Sequence, residues 1–421
     1  MNRTVIFLLA VEMTSVVGPI LPADADRVQL DLKTDWPCWR GPLRNGIAAP
    51  QNVPVEWSET KNVIWKTPVP GRGHGSPIVV GSRIFLESAD EQAKTQSVLC
   101  FDRATGKEAW RQEIHKGGFD GRWHNKNTRA SSTLVSDGEQ LYAAFYNQGA
   151  IWATALGLDG KQRWQTKLGD FESHWGYSAS PTIYKSLVVI AADHKGAGYL
   201  VALDRKTGEA RWRTPRPAEP TYASPVVMNV AGKDQLLIAG ANLIASYDPD
   251  TGKALWSCKG TSTECVSSII VEGDSIFATG GFPAKETVCV RGDGSGKVVW
   301  RVPQGAFVPS MLVQNGAVYG ILDDGIAMCW QAESGKENWR ERLAGKFSAS
   351  PVLVGEHIYI PNEAGKTFVL KADAQKFAIV SQNQLGSGMF ASPVICGDRI
   401  YLRVVQQTTP KWEEILYCIG E

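Results

Sequence analysis

An excess of charge is the first thing this sequence lacks: 44 Lys and Arg against 43 Asp and Glu leave a formal +1. No long-range field therefore gathers phosphate backbones or anionic lipid, and no nucleic-acid partner is expected. Long apolar runs are missing as well. Beyond the first 25 residues none approaches the ~18 residues that a membrane span needs, so no transmembrane segment is expected. Cysteine is sparse, eight in 421 residues, too few for a disulfide-built scaffold. No two cysteines are adjacent or three apart, Cys258 and Cys265 being the closest pair, which excludes CxxC redox or zinc motifs and CxxCH haem attachment. Cys100, Cys289, Cys329 and Cys418 each sit in an apolar run and read as small buried filler, while a Cys258 to Cys265 bridge stays open. The glycine-rich stretch Gly71 to Ser76 has no P-loop lysine, and no nucleophile elbow is visible, so nothing nominates a hydrolase or a phosphate cradle.

What is present points to export and to repetition. Asn2 and Arg3 precede an apolar stretch beginning at Val5 to Leu9, and Ala23, Asp24, Ala25 resemble a small-residue cleavage site. Residues 1–25 are expected to be a signal peptide cut after Ala25, giving a periplasmic or secreted product. No cysteine follows closely enough for a lipoprotein anchor. Fifteen Trp outnumber 13 Phe and 11 Tyr, and 42 Gly imply many turns.

A Gly followed four positions later by Trp recurs at Gly106 and Trp110, Gly160 and Trp164, Gly208 and Trp212, Gly252 and Trp256, Gly296 and Trp300, and Gly335 and Trp339. A second landmark, a Ser opening an apolar run, recurs at Ser76, Ser131, Ser180, Ser224, Ser267, Ser310, Ser350 and Ser392. Eight openings predict eight units. Within a unit the periodicity is two, as in PTIYKSLVVIAAD then YLVALD and ARWRT around the turn Asp204 to Gly208. Each unit reads as four antiparallel strands, A innermost to D outermost, with the strand D Trp filling the space between sheets. The last unit stops at Glu421 without a strand D, and the orphan segment Asn62 to Val69, with Trp65 in the filler position, matches that vacancy. The expected fold is all-β, an eight-bladed propeller over 61–421 closed by its N-terminal strand. Residues 26–60 form an extension in which Trp36, Trp39, Arg40, Gly41, Pro42 and Arg44 clasp the ring or cover one face. The KADAQKFAIV segment lacks Gly and Trp where expected and still counts as part of a blade.

These Gly-to-Trp turns, repeated Ser-Pro openings and terminal LYCIG strand resemble the pyrroloquinoline-quinone (PQQ) repeat propellers, in the PQQ-like group that includes BamB, from about Asp35 to Glu421. The resemblance implies two functional classes. Quinoprotein dehydrogenases of this fold hold PQQ between a Trp floor and a disulfide of adjacent Cys, with Ca²⁺ alongside, and adjacent Cys are absent here. The other class uses the ring as a rigid platform. The resemblance therefore implies a monomeric, non-catalytic binding module for protein partners in the cell envelope, without a cofactor, and a PQQ- and Ca²⁺-dependent oxidoreductase of alcohols or sugars as the alternative.

In propellers the loops entering strand A and those joining B to C share one face. Mapping there collects His74, then His115, Trp123, His124, Asn125 and Arg129, then His174, Trp175 and Tyr177, with Tyr222 and Glu264. The B to C loops add Asp193 and His194, Asp323 and Asp324, and Asn362 and Glu363. Three of the histidines, His74, His124 and His174, converge either as a metal site or as hydrogen-bonded loop residues, and no metal is assigned. Asp323 and Asp324 read as an acid pair or an ordinary turn, and Trp123 and Trp175 as stacking platforms or channel plugs. His115 to Arg129 is the longest inter-blade excursion and the expected seat of specificity. No catalytic residue is assigned.

Overall fold

The computed structural model describes residues 27–119, 123, 124, 127–173, 175–408 and 411–421. They form eight four-stranded antiparallel sheets and no helix. Strands B and C are buried almost end to end because a neighbouring blade covers each face; in blade 3, Leu187–Ala192 and most of Tyr199–Asp204 are buried. Strand D alternates instead, as in Ala210–Pro215, since one face meets solvent.

The ring closes in blade 8. Val63–Val69 pairs with Lys411–Ile419 of the chain end, placing Trp65 opposite Cys418 and Thr67 opposite Leu416. The blade lacking Gly and Trp is a complete sheet, Val352–Val354, His357–Pro361, Lys366–Lys371 and Ile379–Gln384.

The repeated Trp and Gly interlock across blades. On its own sheet each strand D Trp lies opposite a small strand C residue: Cys100 for Trp110, Ala155 for Trp164, Ala202 for Trp212, Ser246 for Trp256, Cys289 for Trp300 and Cys329 for Trp339. The cysteines are small filler where a bulkier side chain would displace the indole, and burial pushes the Cys100 thiol up to about 12 and Cys289 and Cys329 to about 11. Across the gap, the ring covers the C to D turn of the next blade. A Cβ at Gly208 would lie 2.6 Å from Trp164, and one at Gly106 2.4 Å from Trp65, and both glycines have positive φ. Except at Trp256, which donates to Gln235 Oε1 of its own blade, the indole N–H donates to a carbonyl of that same turn, as Trp164 does to Arg205 at 2.8 Å and Trp339 to Asp373 at 2.9 Å. Each Gly therefore serves the preceding blade's Trp, not its own. Blade 7 has no strand D Trp, and the N-terminal extension supplies Trp57, which stacks on Tyr359 at 6.1 Å and donates its backbone N–H to Asn383 Oδ1 at 2.9 Å.

A collar of hydroxyls lines the axis. At seven of the eight strand A openings the amide donates to the Ser or Thr hydroxyl of the next blade: Ser76 to Thr133, Thr133 to Ser180, Ser180 to Ser224, Ser268 to Ser310, Ser310 to Ser350, Ser350 to Ser392 and Ser392 to Ser76, at 2.8 to 3.0 Å. Each such bond contributes about 1 kcal/mol. Two landmarks expected from sequence are corrected here: Thr133 and Ser268, not Ser131 and Ser267, occupy the repeat position. Ser131 instead bonds Thr128 and Asn127 within its loop, and Ser267 bonds the Thr279 carbonyl.

Residues 27–60 lie across the face of the A to B turns. Val28 bonds Gly138, Trp36 bridges to Val79, Ile47 to Leu353, and Lys33 receives the Gly397 amide. Trp39 and Arg40 enter the channel from that side. Arg40 is buried with no carboxylate partner among the described residues, its guanidinium donating to the carbonyls of Met311 at 2.6 Å, Pro351 at 2.7 Å and Asn45 at 3.0 Å. Trp39 Nε1 donates to Ser268 Oγ at 2.9 Å. The extension thus stops the channel at one end.

Candidate functional site

The opposite end is open. A cavity of about 550 Å³ lies on the axis at the face of the strand A entry loops and B to C loops, with Trp39 in its lining and the collar hydroxyls of Thr133, Ser180, Ser224, Ser350 and Ser392 in its wall. That size lies within the range of ligand pockets. The rigid sheets fix where each loop starts, so the lining side chains are held by a scaffold that cannot itself move far.

Of the residues expected on this face, His74, His124, Trp175, Tyr222, Glu264, Asp323 and Asp324 line the cavity. His74 stacks on Phe390 at 4.4 Å, its amide held by the Ala130 carbonyl. His124 meets the Trp175 indole edge-on at 5.0 Å. Burial pushes the Glu264 carboxyl pKa up, and the nearby Trp175 side chain opposes that shift. Tyr222 OH lies 3.2 Å from Ser173 Oγ. Asp323 accepts the amides of Phe307 at 2.7 Å and Val308 at 3.0 Å, and burial raises its pKa nonetheless. Its carboxylate fastens one loop to another.

The remaining expected residues do other work. His115 is not in an entry loop: blade 1 strand D runs on through Glu108–Lys116, and the imidazole packs edge-on against Phe145 and Trp152 of blade 2. Trp123 lies over the Arg129 guanidinium at 4.4 Å, with Phe119 at 4.5 Å on the same cation, and Arg129 donates to the Phe119 carbonyl, so these residues fasten the long excursion. Tyr177 is buried and donates to the Ala191 carbonyl. Asp193 forms a buried bidentate pair with Arg216, at 2.7 Å to Nη2. His194 Nδ1 accepts the amides of Glu172 and Gly196, and burial lowers its pKa. Asn362 ties a turn through Ala344, Ala364 and Lys366, and Glu363 accepts Ser348 Oγ at 2.6 Å from behind the cavity wall. Asn125 and His174, like the expected signal peptide, lie outside the described residues.

His115 carries a pH prediction. Burial lowers its pKa from 6.5 to about 4. Between those values the unfolded chain binds the extra proton, so stability is intact above 6.5 and is lost as pH falls toward 4. Replacing His115 by Phe is expected to shrink the drop in melting temperature between pH 7 and pH 4.5, measured by circular dichroism. An unchanged drop would show that His115 does not drive it.

Sequence reasoning missed Lys285, Phe282, Phe307, Phe390 and the Trp39 floor. Phe282 and Lys285 sit in the blade 5 B to C loop, GGFPAK, at the position homologous to Asp323 in blade 6. Aligning the repeats over that loop would have found them. Phe282 is 55% exposed and Trp175 42% exposed, both on the rim.

A family model described as outer membrane protein assembly factor BamB matches residues 47–168, 94–341 and 284–402. The outer membrane protein assembly factor BamB of Burkholderia pseudomallei is 26% identical over 374 residues, covering 83% of this chain and 88% of that one. The BamB structure from Moraxella catarrhalis superposes with a TM-score of 0.63 at 14% identity over 84% of this chain and 99% of that one. A europium-containing methanol dehydrogenase superposes with a TM-score of 0.66 at 12% identity over 92% of this chain and 98% of that one. At such identity the two structural likenesses establish the fold alone.

Proposed function

The chain belongs to the family described as outer membrane protein assembly factor BamB, and from that premise we propose that it is an exported, non-catalytic binding platform for protein partners in the cell envelope. Export would run through residues 1–25, and the platform would work as a monomer without a cofactor. The observation that carries this reading is the one-sided ring: Trp39 and Arg40 stop the channel at one face, while the other presents a cavity rimmed by exposed Trp175 and Phe282. Rigid, partly exposed aromatics around a concave mouth are a pattern of protein recognition surfaces.

A quinone-dependent dehydrogenase is the second reading, supported by the fold shared with the methanol dehydrogenase. PQQ is a planar tricarboxylate. The described lining offers it Lys285 and no arginine, against the carboxylates of Glu264, Asp323 and Asp324. Asp323 is already engaged by two backbone amides. These residues match that anion poorly, and no step through it is derived.

Two measurements test the proposal. Purified protein incubated with PQQ and Ca²⁺ is expected to release the quinone on desalting and to reduce no artificial acceptor with alcohols or sugars. Retained quinone with turnover would reverse the order of the readings. A photo-crosslinking residue at Asp324, on the open face, is expected to capture envelope proteins in cells, and one at Lys336, on a C to D turn of the closed face, to capture none above background. Equal capture from both positions would remove the one-sided platform.

A further inference from the structure

The open face carries a built recognition element. Trp175 is more than two-fifths exposed and yet fixed: its amide donates to Ser173 Oγ at 3.2 Å, its carbonyl accepts Asn127 Nδ2 at 2.5 Å, and its ring abuts His124. Its side chain lies close enough to the Glu264 carboxyl to lower that group's pKa. The Glu264 backbone in turn bridges to Phe282, its amide donating to the Phe282 carbonyl at 3.0 Å. Phe282 packs on Phe307 at 6.4 Å and leaves more than half its surface in solvent. Glu264 therefore stands between two exposed aromatic side chains that come from different blades, its carboxylate near Trp175 and its backbone bonded to that of Phe282.

Resting on the platform reading, we propose that Trp175, Glu264 and Phe282 form a clamp for an arginine side chain presented by an envelope protein partner. Charge complementarity selects a cation. The lining holds three carboxylates, Glu264, Asp323 and Asp324, against Lys285, with His124 beside Trp175 and His74 stacked on Phe390. Lys195 and Glu219 also act on Glu264, with opposite signs. The shape of the group selects arginine among cations. A guanidinium stacks flat on aromatic faces while its edge donates to a carboxylate, whereas an ammonium satisfies only the charge. A carboxylate has two oxygens, so the guanidinium edge finds an acceptor on Glu264 with the Trp175 side chain beside it. Burial of Glu264 works in the same direction: the carboxylate loses water that a bound cation would replace. Because Trp175 is already fixed, little side-chain freedom is lost on binding. The cavity of about 550 Å³ exceeds one guanidinium, and residues flanking the arginine would lie against Phe307 and Phe390.

The test is fluorescence anisotropy on the full mature protein, with a terminally blocked, fluorescein-labelled Ala-Leu-Arg-Leu-Ala peptide and its citrulline twin. The arginine peptide is expected to bind about tenfold or more tightly than the citrulline one. Glu264→Gln is expected to abolish that ratio, and Trp175→Ala to weaken the arginine peptide by about tenfold while Trp175→Phe restores much of the loss. Melting curves of each variant establish that the fold is kept. Equal binding of the two peptides, a ratio that survives Glu264→Gln, or displacement of the peptide by a neutral oligosaccharide such as maltohexaose would overturn the assignment. If the arginine preference is absent but crosslinks from Asp324 persist, the clamp fails and the platform stands. Loss of both removes both.

Discussion

A chain shortened to begin at Pro70 is expected to lose cooperative unfolding and to aggregate or elute as an expanded species, whereas one beginning at Asn62 should stay folded at reduced stability. The first truncation removes the strand D of blade 8 and exposes the full edge of Lys411–Ile419, a template for pairing with other chains. Both truncations remove Trp36 and Trp57, each buried to within a few percent of its surface. Only the second keeps the closing strand Val63–Val69, so the difference between the two isolates closure in blade 8. Circular dichroism melts with size-exclusion chromatography separate the two cases. A Pro70 truncation that melts like the full chain would show that closure in blade 8 is dispensable.

Asp193→Ala is expected to destabilise the protein by about 3–5 kcal/mol while leaving capture from Asp324 unchanged under conditions where it is folded. Its partner Arg216 donates from Nε and Nη2 to the carboxylate and from Nη1 to the Tyr247 hydroxyl at 3.2 Å, with both charged side chains almost fully buried. Removing only the acid leaves a buried guanidinium uncompensated. Changing the pair together, Asp193→Leu with Arg216→Met, should recover most of the loss, since two apolar groups leave no charge unpaired. Urea unfolding midpoints measure both. A single variant as stable as the parent would mean that water reaches Arg216.

The ring was legible because its repeating device is local: Gly and Trp four residues apart, and a hydroxyl before Pro. Blade 8 was legible by subtraction, since a strand D was missing at one end and spare at the other. The collar was misplaced by one or two residues only where Ser-Ser-Thr and Ser-Ser runs without Pro, at Ser131 to Thr133 and Ser267 to Ser268, offered several candidates. His115 was assigned to a loop because blade 1 strand D is nine residues long, with register shifts against strand C at Gln96/Ser97 and Cys100/Phe101 that carry it past the usual end. The cavity residues divide differently. Their presence on one face follows from loop order, but their roles depend on partners far away in the chain. Asp193 reads as a free acid until Arg216 is seen beside it, and Trp39 as one of several aromatics until Ser268, 229 positions later, receives its N–H. Pairings of that kind carry no periodic signal.

The handover between indole and glycine has a consequence for how such a wheel changes over time. A side chain introduced at Gly208 would harm the seat of Trp164, which belongs to the neighbouring wedge. Damage therefore travels one step around the circumference, and the piece that must be inherited intact is the joint between two wedges, not the wedge. Trp57 shows the corollary: blade 7 lacks a strand D Trp of its own, and a segment from outside the wheel stacks there instead.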